Sequence, residues 1–158
     1  MHRFFLPPGK CHDSVLALDE QESHHATAVL RLRAGDDAIV LDGAGAVLSC
    51  VVHSVEKRCV QLEVRARQQM PPLPYKITLL QAIPKAKLIE SIIQKATELG
   101  VFRVVPLLTE RVSTQLDDDR AGSKAEKWQR VAMEAIKQSG CAWLPRSTML
   151  PNSSLAAS

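Results

Sequence analysis

The sequence predicts an α/β chain with an all-β amino-terminal domain, and three observations carry that reading. Short β-branched runs occupy residues 36–67. Three prolines fall within the four residues Pro71–Pro74. Past them the hydrophobic period lengthens from strand-like to helical.

In the first half, Ala38–Leu41, Val47–His53 and Cys59–Arg65 read as strands, the last alternating with period two. Asp42-Gly43-Ala44-Gly45 joins the first pair as a hairpin turn, because glycine takes positive φ without steric cost. Glu56-Lys57-Arg58 turns the next pair. Ser23–Leu30 fits one short helix feeding Arg31-Leu32-Arg33, and Arg3–Leu6 fits an opening strand. Together they predict a small β-barrel over residues 1–70.

Residues 71–74 read as a linker, since proline removes backbone donors and favours extended chain. Ile77–Ile83 is expected as a buried-type strand and Val101–Leu108 as another. Between them Leu88, Ile89, Ile92, Ile93, Ala96 and Leu99 recur at helical spacing, with Gly100 as the C-cap. A strand, a helix and a second strand in that order imply a crossover with a parallel pair. Ser123-Lys-Ala-Glu126 reads as a capping box opening a second helix, lined inside by Trp128, Val131, Ala132, Ala135 and Ile136 and ended by Gly140. Ser147–Leu150 is expected as a third strand, and Pro151–Leu155 as the cap of a further helix. So few parallel strands cannot cover both faces of their sheet, so residues 75–158 read as the first part of a larger α/β domain that leaves apolar surface open.

Composition narrows the class. With 46% hydrophobic and 23% charged residues, the chain has the balance of a folded globular protein. Residues 1–70 carry eight Lys/Arg against nine Asp/Glu, whereas residues 71–158 carry twelve against eight, so the second half is the basic one. All five histidines lie in the first 53 residues. Cys11, Cys50, Cys59 and Cys141 show no CxxC or Cys/His ligand spacing, which fits a reduced, cytoplasmic chain. The apolar runs fall short of the roughly 20 residues of a membrane helix. There is no glycine-rich nucleotide loop and no nucleophile-histidine constellation to support a metabolic α/β enzyme.

Four motifs in the second half share a pattern with a known family: Gln81-Ala-Ile-Pro-Lys85, Gln94-Lys-Ala-Thr-Glu-Leu-Gly-Val101, Pro106-Leu-Leu-Thr-Glu-Arg111 and Glu134-Ala-Ile-Lys-Gln-Ser-Gly140. With Arg3-Phe-Phe5, Val29-Leu-Arg-Leu32 and the stretch from Gly35-Asp36 to Asp42-Gly43, they resemble the RsmE family, in order and over essentially the whole chain. That resemblance implies a methyltransferase acting on N3 of a uridine in 16S rRNA, with S-adenosylmethionine as donor. It implies a PUA-like RNA-binding barrel at 1–70 and the amino-terminal part of a SPOUT domain at 75–158. The partners it implies are 16S rRNA or the small ribosomal subunit and a second copy in a homodimer. Two departures stand out. Cys141 occupies a position where the family usually has arginine, and the family's Gly-Pro-Glu-Gly-Gly-like loop and Leu-Arg segment do not occur in residues 1–158. The donor site, built in the family from a trefoil knot, is therefore expected beyond Ser158. The alternative is a non-catalytic RNA-binding or ribosome-assembly module.

Candidate site residues follow from both lines. Arg3, Arg31 and Arg33 suit RNA phosphates, because the guanidinium fork matches phosphate oxygens, or they are ordinary surface arginines. On a strand, Arg31 and Arg33 would share one face about Leu32. Gln81 and Lys85 bracket the end of one strand, and Glu110 and Arg111 end the next. Open α/β sheets bind ligands beyond their strands' carboxyl ends, so these four are favoured as a substrate pocket over a solvated loop, with Lys85 also a candidate RNA contact. Gln94 and Glu98 fall on the face of their helix far from its apolar stripe and Lys95 at the border, either as a solvated face or as polar groups for a dimer or RNA groove. Gln138, in the Gln-Ser-Gly motif, joins them as a pocket candidate. No metal is expected: His24 and His25 point roughly 100° apart on a helix with no third ligand, and Asp117–Asp119 read as a solvated loop.

Overall fold

The computed structural model describes residues 1–56, 59–84, 88–107 and 118–147, with only the backbone at 118–121 and 147. The chain divides into two units, Met1–Pro72 with Gly140–Trp143, and Leu73–Ser139 with Leu144–Ser158.

The first unit is built on a five-stranded sheet of β1 (His2–Phe5), β2 (Val15–Ala17), β3 (Asp37–Leu41), β4 (Ala46–Val55) and β5 (Val60–Gln69), in the order β1-β3-β4-β5-β2. β1 runs parallel to β3, and the other pairs are antiparallel. Alternation sends Ala38 and Val40, then Leu48, Cys50 and Val52, then Val60 and Leu62 into one core with Phe4, Leu6 and Leu16. Register shifts at Ser49/Cys50 and Val52/Ser54 interrupt the β4–β5 ladder, as bulges do where a sheet must bend. Gln69 closes β5 by pairing with Ala46.

The Asp42–Gly45 turn is held by its aspartate. Asp42 Oδ1 accepts hydrogen bonds from the N–H groups of Ala44 and Ala46 at 2.7 and 2.8 Å, while Gly43 and Gly45 take φ of 72° and 99°. α1 (Glu20–His24) is capped by Asp19, whose Oδ1 accepts from the Glu22 N–H at 2.8 Å. From His25 to Val29 the helix widens to π-type, so the expected single helix is two turns of different gauge. Buried Ser23 pins it to the sheet, donating to the Leu18 carbonyl and accepting from the Val60 N–H. That satisfies groups which would otherwise be costly to bury.

In the second unit β6 (Thr78–Ala82), β7 (Arg103–Leu107) and β8 (Arg146–Ser147) form a parallel sheet in the order β6-β7-β8. α2 (Leu88–Glu98) makes the expected crossover. It ends in a Schellman arrangement: Gly100, at φ 80°, donates its N–H to the Thr97 carbonyl, and Val101 donates to Ala96. α3 (Asp118–Ser139) packs with α2 over Leu79 and Val104, its Trp128 and Ala132 joining Ile89 and Ile93 in the core.

The strand at Ile77–Ile83 is not a buried type: Thr78, Leu80 and Ala82 face outward, with Leu80 59% exposed, because only the Leu79 side meets the helices. Leu88 and Leu99 lie outside the inner stripe of α2, and buried Thr97 takes a place in it, donating its hydroxyl to the Ile93 carbonyl at 2.7 Å. A hydroxyl satisfied within the helix can enter a core that polarity alone would deny it. Ser123 does not cap its helix, which begins at Asp118, so Asp118 and Asp119 belong to the first turn rather than a loop. Acidic residues suit that end of the helix dipole. The third strand is Arg146–Ser147; the rest of its expected span, Thr148–Leu150, lies outside the described residues.

Candidate functional site

Arg31, Leu32 and Arg33 leave the π-turn as an irregular segment, not a strand. Arg31 sits at φ 55°, and the Arg33 N–H donates to Asp36 Oδ2 at 2.7 Å. Leu32 is buried between the two, so both exposed arginines project from one anchored residue. Arg3 lies on β1 against Gly140, where an added Cβ would stand 3.3 Å from its Nε. The guanidinium therefore packs on glycine backbone, a contact with no sequence signal.

Arg67 holds a loop of the first unit differently. Its guanidinium donates to the carbonyls of Cys11, His12 and Asp13, fastening the segment before β2 to β5. Five N–H donors in a fixed fork allow one side chain to satisfy three consecutive carbonyls.

The segment Gly140–Trp143 docks on the Asp42–Gly45 hairpin. Trp143 bridges to Ala44, Gly45 donates its N–H to the Ala142 carbonyl at 3.0 Å, and the indole Nε1 donates to the Pro71 carbonyl at 3.2 Å. Cys141 sits half-buried in this strap, its Sγ 3.4 Å from the Trp143 carbonyl.

In the second unit, a groove of about 450 Å³ runs between α2 and α3, lined in part by Glu90, Gln94, Lys127 and Gln138. Lys127 crosses from α3 to Glu90 at 2.6 Å. The groove brings Gln94 and Gln138 to one place, while Lys95 and Glu98 pair at 2.8 Å on the exposed side of α2. Hydrogen bonds from Lys95, then Gln94, hold the Glu98 carboxyl below its ordinary range. Gln81, half-buried on β6, donates its Nε2–H to the Ala82 carbonyl at 2.8 Å. Lys85, Glu110 and Arg111 lie outside the described residues. Glu90, Lys127, Arg130 and Glu134 also line the groove, and their signal in the sequence is helical spacing on two facing helices.

Among the described residues no three His, Cys, Asp or Glu side chains converge as metal ligands, and no helix is long and apolar enough to cross a membrane.

A five-stranded mixed sheet in one unit and a parallel strand-helix-strand layer in the other define the class: an α/β protein with an appended β-domain. A family model described as an RNA methyltransferase domain matches residues 71–156, and one described as an RNA methyltransferase PUA domain matches 18–65. The chain belongs to the RNA methyltransferase domain family. It is 37% identical over 145 residues to ribosomal RNA small subunit methyltransferase E of Synechocystis sp., a match covering 91% of this chain and 46% of that protein. Its likeness to the Bacillus subtilis protein of the same name is 35% over 127 residues, covering 80% and 50%. The crystal structure of ribosomal RNA small subunit methyltransferase E from Neisseria gonorrhoeae bound to S-adenosyl methionine superposes with a TM-score of 0.84 at 28% identity, covering 94% of this chain and 62% of that one. The chain spans about half the length of the curated relatives it matches.

Proposed function

We propose that this chain is part of an enzyme that transfers a methyl group from S-adenosylmethionine to N3 of a uridine in 16S rRNA. The observation that carries the reading is the match of the second half to an RNA methyltransferase domain, joined to a PUA match in the first half. The likeness to a relative solved with S-adenosyl methionine supports the choice of donor.

The reaction needs an RNA grip, a base drawn out of its stack, loss of the N3 proton and an in-line sulfonium methyl. The proposal assigns the grip to residues 1–70, through Arg31 and Arg33 on either side of Leu32 and through Arg3, with 71–74 as linker and 75–158 as part of the methyltransferase domain. The pocket is assigned to the carboxyl ends of β6 and β7, with Gln81, Lys85, Glu110 and Arg111. Lys95, Glu98 and Gln138 are assigned to a surface met by RNA or by a second copy in a homodimer. A cytoplasmic site of action follows from a ribosomal substrate.

The described residues do not by themselves fit S-adenosylmethionine. At the carboxyl ends of β6 and β7 they offer one amide side chain, Gln81, already donating to Ala82, and the described groove lies instead between α2 and α3.

Incubation of the enzyme of which this chain is proposed to be part with 16S rRNA and methyl-tritiated S-adenosylmethionine tests the reading. Label recovered in 3-methyluridine supports it; label on another nucleoside overturns it. RNA that is bound but never labelled would return the chain to the non-catalytic module.

A further inference from the structure

We propose that the amino-terminal ends of β6, β7 and β8 carry a second RNA contact, a phosphate-binding patch made by Lys76, Arg103 and Arg146 around Phe102. It rests on the RNA-methylating function proposed above and adds to it a binding surface at the sheet end opposite the proposed pocket.

The three cations are brought together by the sheet. Arg103 on β7 stands opposite Arg146 on β8 in a parallel register, so both side chains leave the same face. Lys76 precedes β6 and places its Nζ 5.0 Å from the centroid of the Phe102 ring, over which Arg146 also sits, at 5.7 Å. The π-system of the ring attracts both cations.

Among the described residues no carboxylate pairs with them. In the second unit, every carboxylate whose side chain is described already has a cation: Glu90 pairs with Lys127, Glu98 with Lys95, Glu126 with Arg130 and Glu134 with Lys137. Lys76, Arg103 and Arg146 have no such partner among the described residues. The Nε of Arg103 is moreover buried without an acceptor. Lys76 and Arg146 are exposed, so an anion can reach them from solvent.

Phosphate of an RNA backbone fits this arrangement. A guanidinium fork takes two phosphate oxygens and an ammonium takes one as a point charge. Contacts to the phosphate backbone position RNA without selecting its sequence.

The test is fluorescence anisotropy of a labelled single-stranded oligouridylate against the chain over a series of salt concentrations. The partners are a Lys76→Ala/Arg146→Ala double variant and an Arg31→Ala/Arg33→Ala variant. Lys76 and Arg146 are exposed, and circular dichroism verifies that the double variant folds. The log-log salt slope of the Lys76/Arg146 variant is expected to fall by about 1.4, at about 0.7 per lost phosphate contact on single-stranded RNA. An unchanged slope in that variant, while wild type binds and the Arg31/Arg33 variant loses slope, overturns the patch and leaves the RNA-methylating function standing. Wild type that does not bind RNA at all overturns both. An oligoglutamate of equal charge that competes as well as RNA overturns the choice of ligand.

Discussion

The indole of Trp143 occupies the space that a side chain on Gly45 would need: a Cβ there would stand 2.5 Å from Trp143 Cζ2. Gly45 also takes φ of 99°, where a side chain is strained whatever the room. Gly35, at φ 93° with nothing within 4 Å of the corresponding point, separates the two effects.

Gly35→Ala is therefore expected to cost about 1–2 kcal/mol, from left-handed backbone alone. Gly45→Ala adds a clash with an aromatic ring and should cost a further 1–3 kcal/mol or about that. Urea unfolding of both variants gives the comparison. Equal losses would mean that Trp143 yields freely and does not fasten the strap.

Arg67 should not be replaceable by lysine. Its fork serves the carbonyls of Cys11, His12 and Asp13 together, and an ammonium on a flexible stem keeps the charge without that geometry. Arg67→Lys is expected to destabilise by about 1–2 kcal/mol, within the range of charged hydrogen bonds at a partly exposed site. A urea midpoint equal to that of wild type would show the three contacts to be incidental.

The buried thiols make stability fall in alkali. Burial pushes Cys50 up to about 11, against the lowering influence of Arg67, and Cys11 is raised too, again mainly by burial. An unfolded thiol titrates near 8.5, or about that. Between those values the folded chain keeps a proton that the unfolded chain has lost, so this stabilising contribution is complete below the unfolded value and is lost as pH rises through the folded one. Cys50→Ala should flatten the decline of the urea midpoint from pH 8 to pH 11, taken as about those limits. A decline as steep as that of wild type would place the alkaline sensitivity elsewhere.

How far the fold was legible depended on whether a signal was local. Gly100 ended α2 where glycine after an apolar stripe should, and the Asp42–Gly45 turn formed as its residues require. Both are decided within a few residues. Thr97 entered the core because its hydroxyl is satisfied one turn back, which an apolar period cannot register. The strap at Gly140–Trp143 escaped notice because its partners, Ala44, Gly45 and Pro71, are distant in sequence. Of the site, Lys95 and Glu98 were readable as neighbours from spacing, whereas Lys76, Phe102, Arg103 and Arg146 gather only once three strands are in register.

The most direct measurement is nucleoside mass spectrometry of 16S rRNA from cells in which the gene encoding this chain is disrupted. The account requires 3-methyluridine to disappear from that RNA and to return when the intact gene is restored. An undiminished level of 3-methyluridine in the disrupted strain would contradict it.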